Sequence, residues 1–238
     1  AAVNKSGSII IGRQKLGHNI VLWRVSEDGE SVEEPEVLVQ IDRPLDNAVN
    51  TMELVDNVLW YWHGSTLMRM DLATRHADEV AALRHPDGFV CSTWALDTKA
   101  GYAYLKPWSP VPTVEAVNLR TGAVTRLTVV RGVDDIRNES QEIFCCAGDG
   151  KLLVTCEADS SMFALWDPAA PTRQAVPLGW FKDAGDQFFS DGIPGVQPPT
   201  FYSPDKIIIT GQGDLVVYDD ASTSNQTYGV RVIRAGLV

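Results

Sequence analysis

Five times along its 238 residues the chain repeats one pattern: a turn, a short apolar run, a polar gap, and a second apolar run closed by a polar residue. The central runs begin at Ile9 (IIIG), Val58 (VLWY), Tyr102 (YAYL), Leu152 (LLVT) and Ile207 (IIIT), spaced 49, 44, 50 and 55 residues apart. A period of this size constrains the fold more than any composition does. Each unit is one supersecondary element, too small to bury both of its faces alone. The runs are short, alternating or β-branched, and no segment carries a helical period over a helical length. Turns precede them (NKSGS, LVDN, LDTKAG, AGDGK and SPDK), and second runs follow (IVLWR, LMRMD, EAVNL, MFALWD and DLVVYD). A third, shorter run closes each unit: EVLVQI, EVAAL, VTRLTVV, RQAVPL and VRVIRA.

The run before each turn (NTMELV, FVCSTWAL, QEIFCCA, TFYS) adds a fourth strand to the unit. Five units of four antiparallel strands describe an all-β chain folded as a five-bladed β-propeller. The expected blades are 1–43, 44–84, 85–131, 132–179 and 180–238. Asp71, Asn118, Asp167 and Asp219 fall where second runs end, where an Asp or Asn side chain can bond the backbone two residues on. Gly122 in NLRTGAV can supply the positive φ of a tight hairpin.

Two stretches resemble WD40 repeats: HPDGFVCSTWALDTKAGYAYL (85–105) and YSPDKIIITGQGDLVVYD (202–219). The matching elements are His85 before an inner strand, Ser203-Pro204-Asp205 as a turn, and Trp166-Asp167 and Tyr218-Asp219 at strand ends. The resemblance covers parts of three blades, with one His and one literal Trp-Asp. It implies a structural hydrogen bond for His85. WD40 propellers usually carry seven blades, so five units mean either a closed five-blade ring or a piece cut from something larger. The closed ring is the expectation, with the first blade completed by the C-terminal VRVIRAGLV. The opening Ala1 also fits a fragment.

Composition narrows the job. A net charge of −11 argues against a nucleic-acid partner, which needs Lys and Arg to displace counterions from phosphates. No apolar run approaches the ~20 residues that span a bilayer. A chain this long can bury about 70% of its unfolded surface without disulfide or metal. Cys91, Cys145, Cys146 and Cys156 lie in strand-like runs with no CxxC, which fits buried thiols, no metal and a reducing, intracellular setting. Three sequons, at Asn4, Asn138 and Asn225, count weakly for secretion. His18, His63 and His76 stand at unrelated spacings, not those of a metal site. The acidic hairpin SEDGESVEEPE (26–36) is expected to be a solvated, solubilising loop, with a docking site for a basic partner as the alternative.

Three connections stand out, and by strand order all belong to one face of blades three to five. KPWSPVP (106–112) holds Trp108 among prolines. RGVDDIRNES (131–140) holds Arg131, Asp134, Asp135 and Arg137. LGWFKDAGDQFFSDGIPGVQPP (178–199) holds Trp180, Phe181, Phe188 and Phe189, and a connection this long is usually functional or disordered. Exposed aromatics on stiffened loops are the material of interface hot spots. The alternative is a plug that buries them over the ring. Trp108, Arg131, Asp134, Arg137, Trp180, Phe181, Phe188 and Phe189 are therefore the expected contact residues for a protein partner.

No G-x-S-x-G, Walker A, H-E-x-x-H, GxGxxG or EF-hand pattern is present. No cofactor is implied. The catalytic alternative is a five-bladed glycosidase, whose acid and base or nucleophile would be drawn from Asp46, Asp87 and Glu142 near the starts of inner strands. A carbohydrate-binding propeller is a further alternative, but lectin propellers repeat their binding residues in each blade, and these units share scaffold rather than loops. A non-catalytic interaction domain fits best.

Overall fold

At most places where the sequence sets two short apolar runs around a turn, the computed structural model forms an antiparallel hairpin. It describes residues 2–3, 7–13, 19–40, 52–83, 91–107, 113–128, 143–146, 150–156, 162–170, 176–181, 200–201, 204–210, 212–220 and 228–233. These form twenty strands in five sheets. The first sheet orders β1 (Ala2–Val3), β2 (Ile9–Arg13), β3 (Ile20–Arg24) and β4 (Glu36–Val39). The second orders β5 (Met52–Val55), β6 (Val58–His63), β7 (Thr66–Asp71) and β8 (Ala77–Ala82). The third orders β9 (Cys91–Asp97), β10 (Tyr102–Pro107), β11 (Thr113–Asn118) and β12 (Val124–Thr128). The fourth has five strands: β13 (Ile143–Cys146), β14 (Leu152–Cys156), β15 (Met162–Trp166), β16 (Val176–Phe181) and β17 (Thr200–Phe201). The fifth has three: β18 (Pro204–Ile209), β19 (Leu215–Asp220) and β20 (Tyr228–Ile233).

The up-and-down order within each sheet is the one the repeat demands. Differences concentrate in the last unit. TFYS, expected as the first strand of the fifth sheet, instead sends Thr200–Phe201 to pair with β16, the one parallel pairing described. The stretch is bounded by Pro199 and Pro204, which have no N–H to give a ladder, so only a short segment can join either sheet. Pro204 and Asp205, expected in a turn, begin β18, where Pro204 stands opposite Asp219 beside a register shift. Residues 228–233 pair with β19 as the closing run of the fifth unit, as the repeat expects; among the described residues no strand of the first sheet pairs with them, and 234–238 of VRVIRAGLV lie outside the described residues.

The chain divides into two compact units, Ala1–Cys91 with Val117–Val124, and Ser92–Ala116 with Thr125–Val238. In the first unit, period-2 alternation sorts residues onto faces. Ile11, Ile20 and Leu22 of the first sheet cluster with Met52, Leu59, Tyr61, Met70 and Leu72 of the second. Burial pushes the Tyr61 hydroxyl above its ordinary range. β6 is buried on both faces, with Leu59 and Tyr61 on one and Trp60 and Trp62 on the other. In the second unit Leu152 stands opposite Trp166, both buried, and Ile207, Leu215 and Val217 are buried in the fifth sheet. The alternate positions of that sheet are open: Ile208 is 48% exposed and Val232 59%.

One turn is used twice. In 71–76 the Asp71 N–H bonds the His76 carbonyl and the Arg75 N–H the Asp71 carbonyl; in 118–123 Asn118, Ala123 and Gly122 repeat both bonds. Asp71 Oδ1 accepts from the N–H groups of Ala73 and Thr74, each at 2.8 Å, and Asn118 Oδ1 from Arg120 and Thr121, each at 3.0 Å. The fifth residue is left-handed in both, Arg75 at φ 60° and Gly122 at φ 69°. Asp97 and Asp167 accept backbone N–H groups in the same way, from Ala100 and Ala169. Asp219, by contrast, lies inside β19. Between β5 and β6, Asp56 and Asn57 both take positive φ, 47° and 63°, as a type I′ hairpin requires.

Candidate functional site

Of the eight expected contact residues, only Trp180 and Phe181 belong to the described residues. They sit at the end of β16, so the strand runs four residues into the stretch 178–199 that sequence reasoning assigned wholly to a connection. Trp180 is registered with Met162 on one side and Thr200 on the other; Phe181 faces Phe201 in the ladder. Anchored in a strand, these two positions are held by backbone hydrogen bonding, which is a more rigid base than a free loop. Trp108, Arg131, Asp134, Arg137, Phe188 and Phe189 lie outside the described residues, as do Asp46, Asp87, Glu142, His18 and His85.

The polar geometry that is described gathers at strand ends of the first two sheets. The Arg75 guanidinium reaches Glu36 at 2.6 Å, tying β4 to the turn after β7. Asp78 takes Arg69 at 3.2 Å on one carboxylate oxygen and His76 Nε2 at 3.0 Å on the other. The Asp71 carboxyl is held below its ordinary range by the Thr74 N–H first and the Ala73 N–H second. Asp28 is likewise lowered, first by the Ser26 hydroxyl and then by the Glu30 N–H. Asp28 belongs to an exposed turn of the acidic hairpin, closed by the Gly29 N–H to the Ser26 carbonyl. These groups fasten outer strands and close turns. His63 and His76 are exposed, and among the described residues no three His, Cys, Asp or Glu side chains come together to hold a metal. The four cysteines stand in β9, β13 and β14.

Sequence reasoning foresaw none of the described ion pairs, and two of them are instructive. Glu115 is buried in the middle of β11 and accepts from Arg126 of β12 at 2.9 Å. The signal was available: a lone acid inside the apolar run TVEAV, with a base in the next run. The Arg75–Glu36 pair spans 39 positions and left no local trace.

No family model and no curated protein sequence matches the chain. Solved structures do. The WD40 domain of Toxoplasma gondii coronin aligns with a TM-score of 0.58 at 13% identity over 96% of this chain and 56% of that one. A structural-genomics protein of unknown function from Bacteroides thetaiotaomicron aligns at 0.56 and 14% over 92% of this chain and 52% of that one. An oligogalacturonate lyase in complex with manganese aligns at 0.52 and 12% over 95% and 72%. The chain thus spans about half the length of the first two. At these identities the likeness is one of fold: repeated antiparallel β-sheets, of the kind a WD40 domain contains.

Proposed function

We propose that the chain is a five-bladed, WD40-like β-propeller that acts without catalysis, inside the cell, as a docking domain for a protein partner. Its contact surface is Trp108, Arg131, Asp134, Arg137, Trp180, Phe181, Phe188 and Phe189. The observation that carries this is a regular scaffold joined by irregular connections. The sheets are built from strands that follow one another in chain order, and one turn recurs at 71–76 and 118–123, while the connections 106–112, 131–140 and 178–199 share nothing and concentrate aromatics and arginines. The fold likeness to a WD40 domain supports the same reading. Aromatics supply buried contact area and the arginines orientation.

The test is capture from native cell extract, read by mass spectrometry, comparing wild type with Trp108→Ala/Phe188→Ala/Phe189→Ala. The variant leaves β16 intact, and both proteins must melt alike. Loss of a specific partner is expected; identical partner lists would discard this surface. A second reading, a carbohydrate-directed enzyme, draws support from the fold likeness to an oligogalacturonate lyase. It would act through Asp46, Asp87 and Glu142. Turnover of an oligosaccharide that Asp87→Asn abolishes would favour it over docking.

A further inference from the structure

The acidic hairpin holds two serines whose hydroxyls stand in opposite situations. The Ser26 hydroxyl is tied down: it donates to Asp28 Oδ1, reaches the Ser31 carbonyl at 3.2 Å and accepts the Ser31 N–H at 3.0 Å. Ser31 enters the turn through its backbone, its carbonyl also taking the Ser26 N–H at 2.9 Å, and its hydroxyl takes part in none of these bonds. Residues 27–37 are exposed without a break. Beyond the first sheet the two arms are joined by an isolated bridge, Val25 with Val32, and by the Glu33 N–H to the Arg24 carbonyl at 2.9 Å. So short a ladder opens locally at little cost, which lets Ser31 be presented in an extended form. Glu33 and Glu34 follow it closely, both exposed, and neither Lys nor Arg occurs between Arg24 and Arg43. Of the nearby carboxylates, Asp28 is committed to the turn and Glu36 to Arg75. An enzyme that acts on Ser31 must therefore present a basic groove, and one with an acidic groove is repelled.

We propose that Ser31 is a phosphorylation site for an acid-directed serine kinase, with Glu33 and Glu34 as the residues that kinase reads. The Ser31 Oγ attacks the γ-phosphorus of MgATP. The Oγ–P bond forms, the bond from that phosphorus to the β,γ-bridging oxygen breaks, ADP leaves, and the hydroxyl proton passes to the kinase's own base. The product adds about −1.5 to −2 of charge at pH 7. Set among Glu27, Asp28, Glu30, Glu33 and Glu34, that charge repels its neighbours, and the bonds between Ser26 and Ser31 are the ones it weakens. The hairpin is closed when unmodified and loosened when phosphorylated. The modification belongs to the intracellular setting proposed above; the docking surface has no part in it.

The full chain is incubated with MgATP and a purified acid-directed serine kinase, with a base-directed kinase in parallel, and the phosphate is located by peptide mass spectrometry. The acid-directed enzyme should place about one phosphate in the hairpin, on Ser31, and the base-directed enzyme none there. Ser31→Ala, which removes none of the bonds described above, should abolish labelling of the hairpin, and Glu33→Gln/Glu34→Gln should slow it about tenfold or more. Phosphate on Ser26 in preference to Ser31, labelling that the two Gln changes leave untouched, equal labelling by the base-directed enzyme, or no labelling at all overturns the assignment. Hydrogen exchange then compares the phosphorylated and unmodified chains. The amides of Gly29 and Ser31 should exchange about threefold faster or more after modification, and equal rates would refute the loosening. Purified protein suffices throughout, so failure here leaves the docking proposal standing, and loss of the docking proposal leaves this result intact.

Discussion

Replacing Gly122 with Ala tests the repeated turn at its most constrained atom. The residue sits at φ 69°, in the left-handed region where an L side chain costs about 1–2 kcal/mol. A Cβ built on Gly122 would also run into the backbone carbonyl oxygen of Val80. Backbone cannot swing aside as a side-chain tip can, so β8 or the turn must shift, an overpacking cost of about 1–3 kcal/mol. Together Gly122→Ala should lose roughly 2–5 kcal/mol. For a chain of this size, where each kcal/mol moves the midpoint by about 2–4 °C, that lowers Tm by about 4–20 °C.

The matched turn supplies the control. Arg75 occupies the equivalent position at φ 60°, so the turn tolerates a side chain there. Arg75→Gly should relieve about 1 kcal/mol of backbone strain and lose a half-exposed pair with Glu36 worth about 0–1 kcal/mol, leaving Tm within about 3 °C of wild type. Melting both variants by circular dichroism, with urea unfolding as a cross-check, separates the two contributions. A Gly122→Ala protein that melts within 1–2 °C of wild type, on the order of the scatter of such measurements, would refute the carbonyl contact and the two-turn equivalence together.

Asp71 makes a pH prediction. Its folded carboxyl lies below the ordinary value of 3.8, so the stability it adds is present above that value and is lost as pH falls through the lower folded value. Asp71→Asn keeps the accepting oxygen, as Asn118 does in the sister turn. It should therefore melt like wild type at pH 7 and lose less on acidification below pH ~4; a parallel acid decline in the two proteins would remove Asp71 from the account. Asn57→Gly should hold or raise Tm, because Gly takes the type I′ geometry freely, whereas Asn57→Val should lose about 1–2 kcal/mol in urea unfolding. Val217→Thr places a hydroxyl in a fully buried site and should cost about 1–3 kcal/mol, while Val232→Thr, on the open face, should stay within about 0.5 kcal/mol; equal effects would mean the two faces are covered alike.

The parts legible in the sequence are those fixed by local chemistry. Asp71, Asn118 and Asp167 were placed at turns because a short polar side chain competes for nearby N–H groups, and each accepts them. Gly122 was placed by its φ. The central runs at 9, 58, 102, 152 and 207 were placed by period, and each falls in a strand. What failed was pairing between segments with little ladder to offer. Thr200–Phe201 went to β16 because a four-residue stretch between prolines does not specify a partner by pattern. Trp180 and Phe181 read as part of a connection because 178–199 shows no clear periodicity over its length, yet β15 supplies a neighbour that extends the strand. Arg75–Glu36 lay beyond reach because neither residue announces a partner 39 positions away.

The same contrast between local and borrowed stability bears on function. β6 is buried on both faces, and its Trp60 and Trp62 are part of that buried core rather than of an exposed surface. Turns of the second and third sheets are closed by their own side chains, so that chemistry is spent on holding the scaffold. Residues free to recognise a partner must therefore come from outside the repeated pattern. On the docking reading proposed above, those are the unlike connections with their tryptophans, phenylalanines and arginines, and the end of β16 that leads into the longest of them. A repeat fold places function where the repeat breaks.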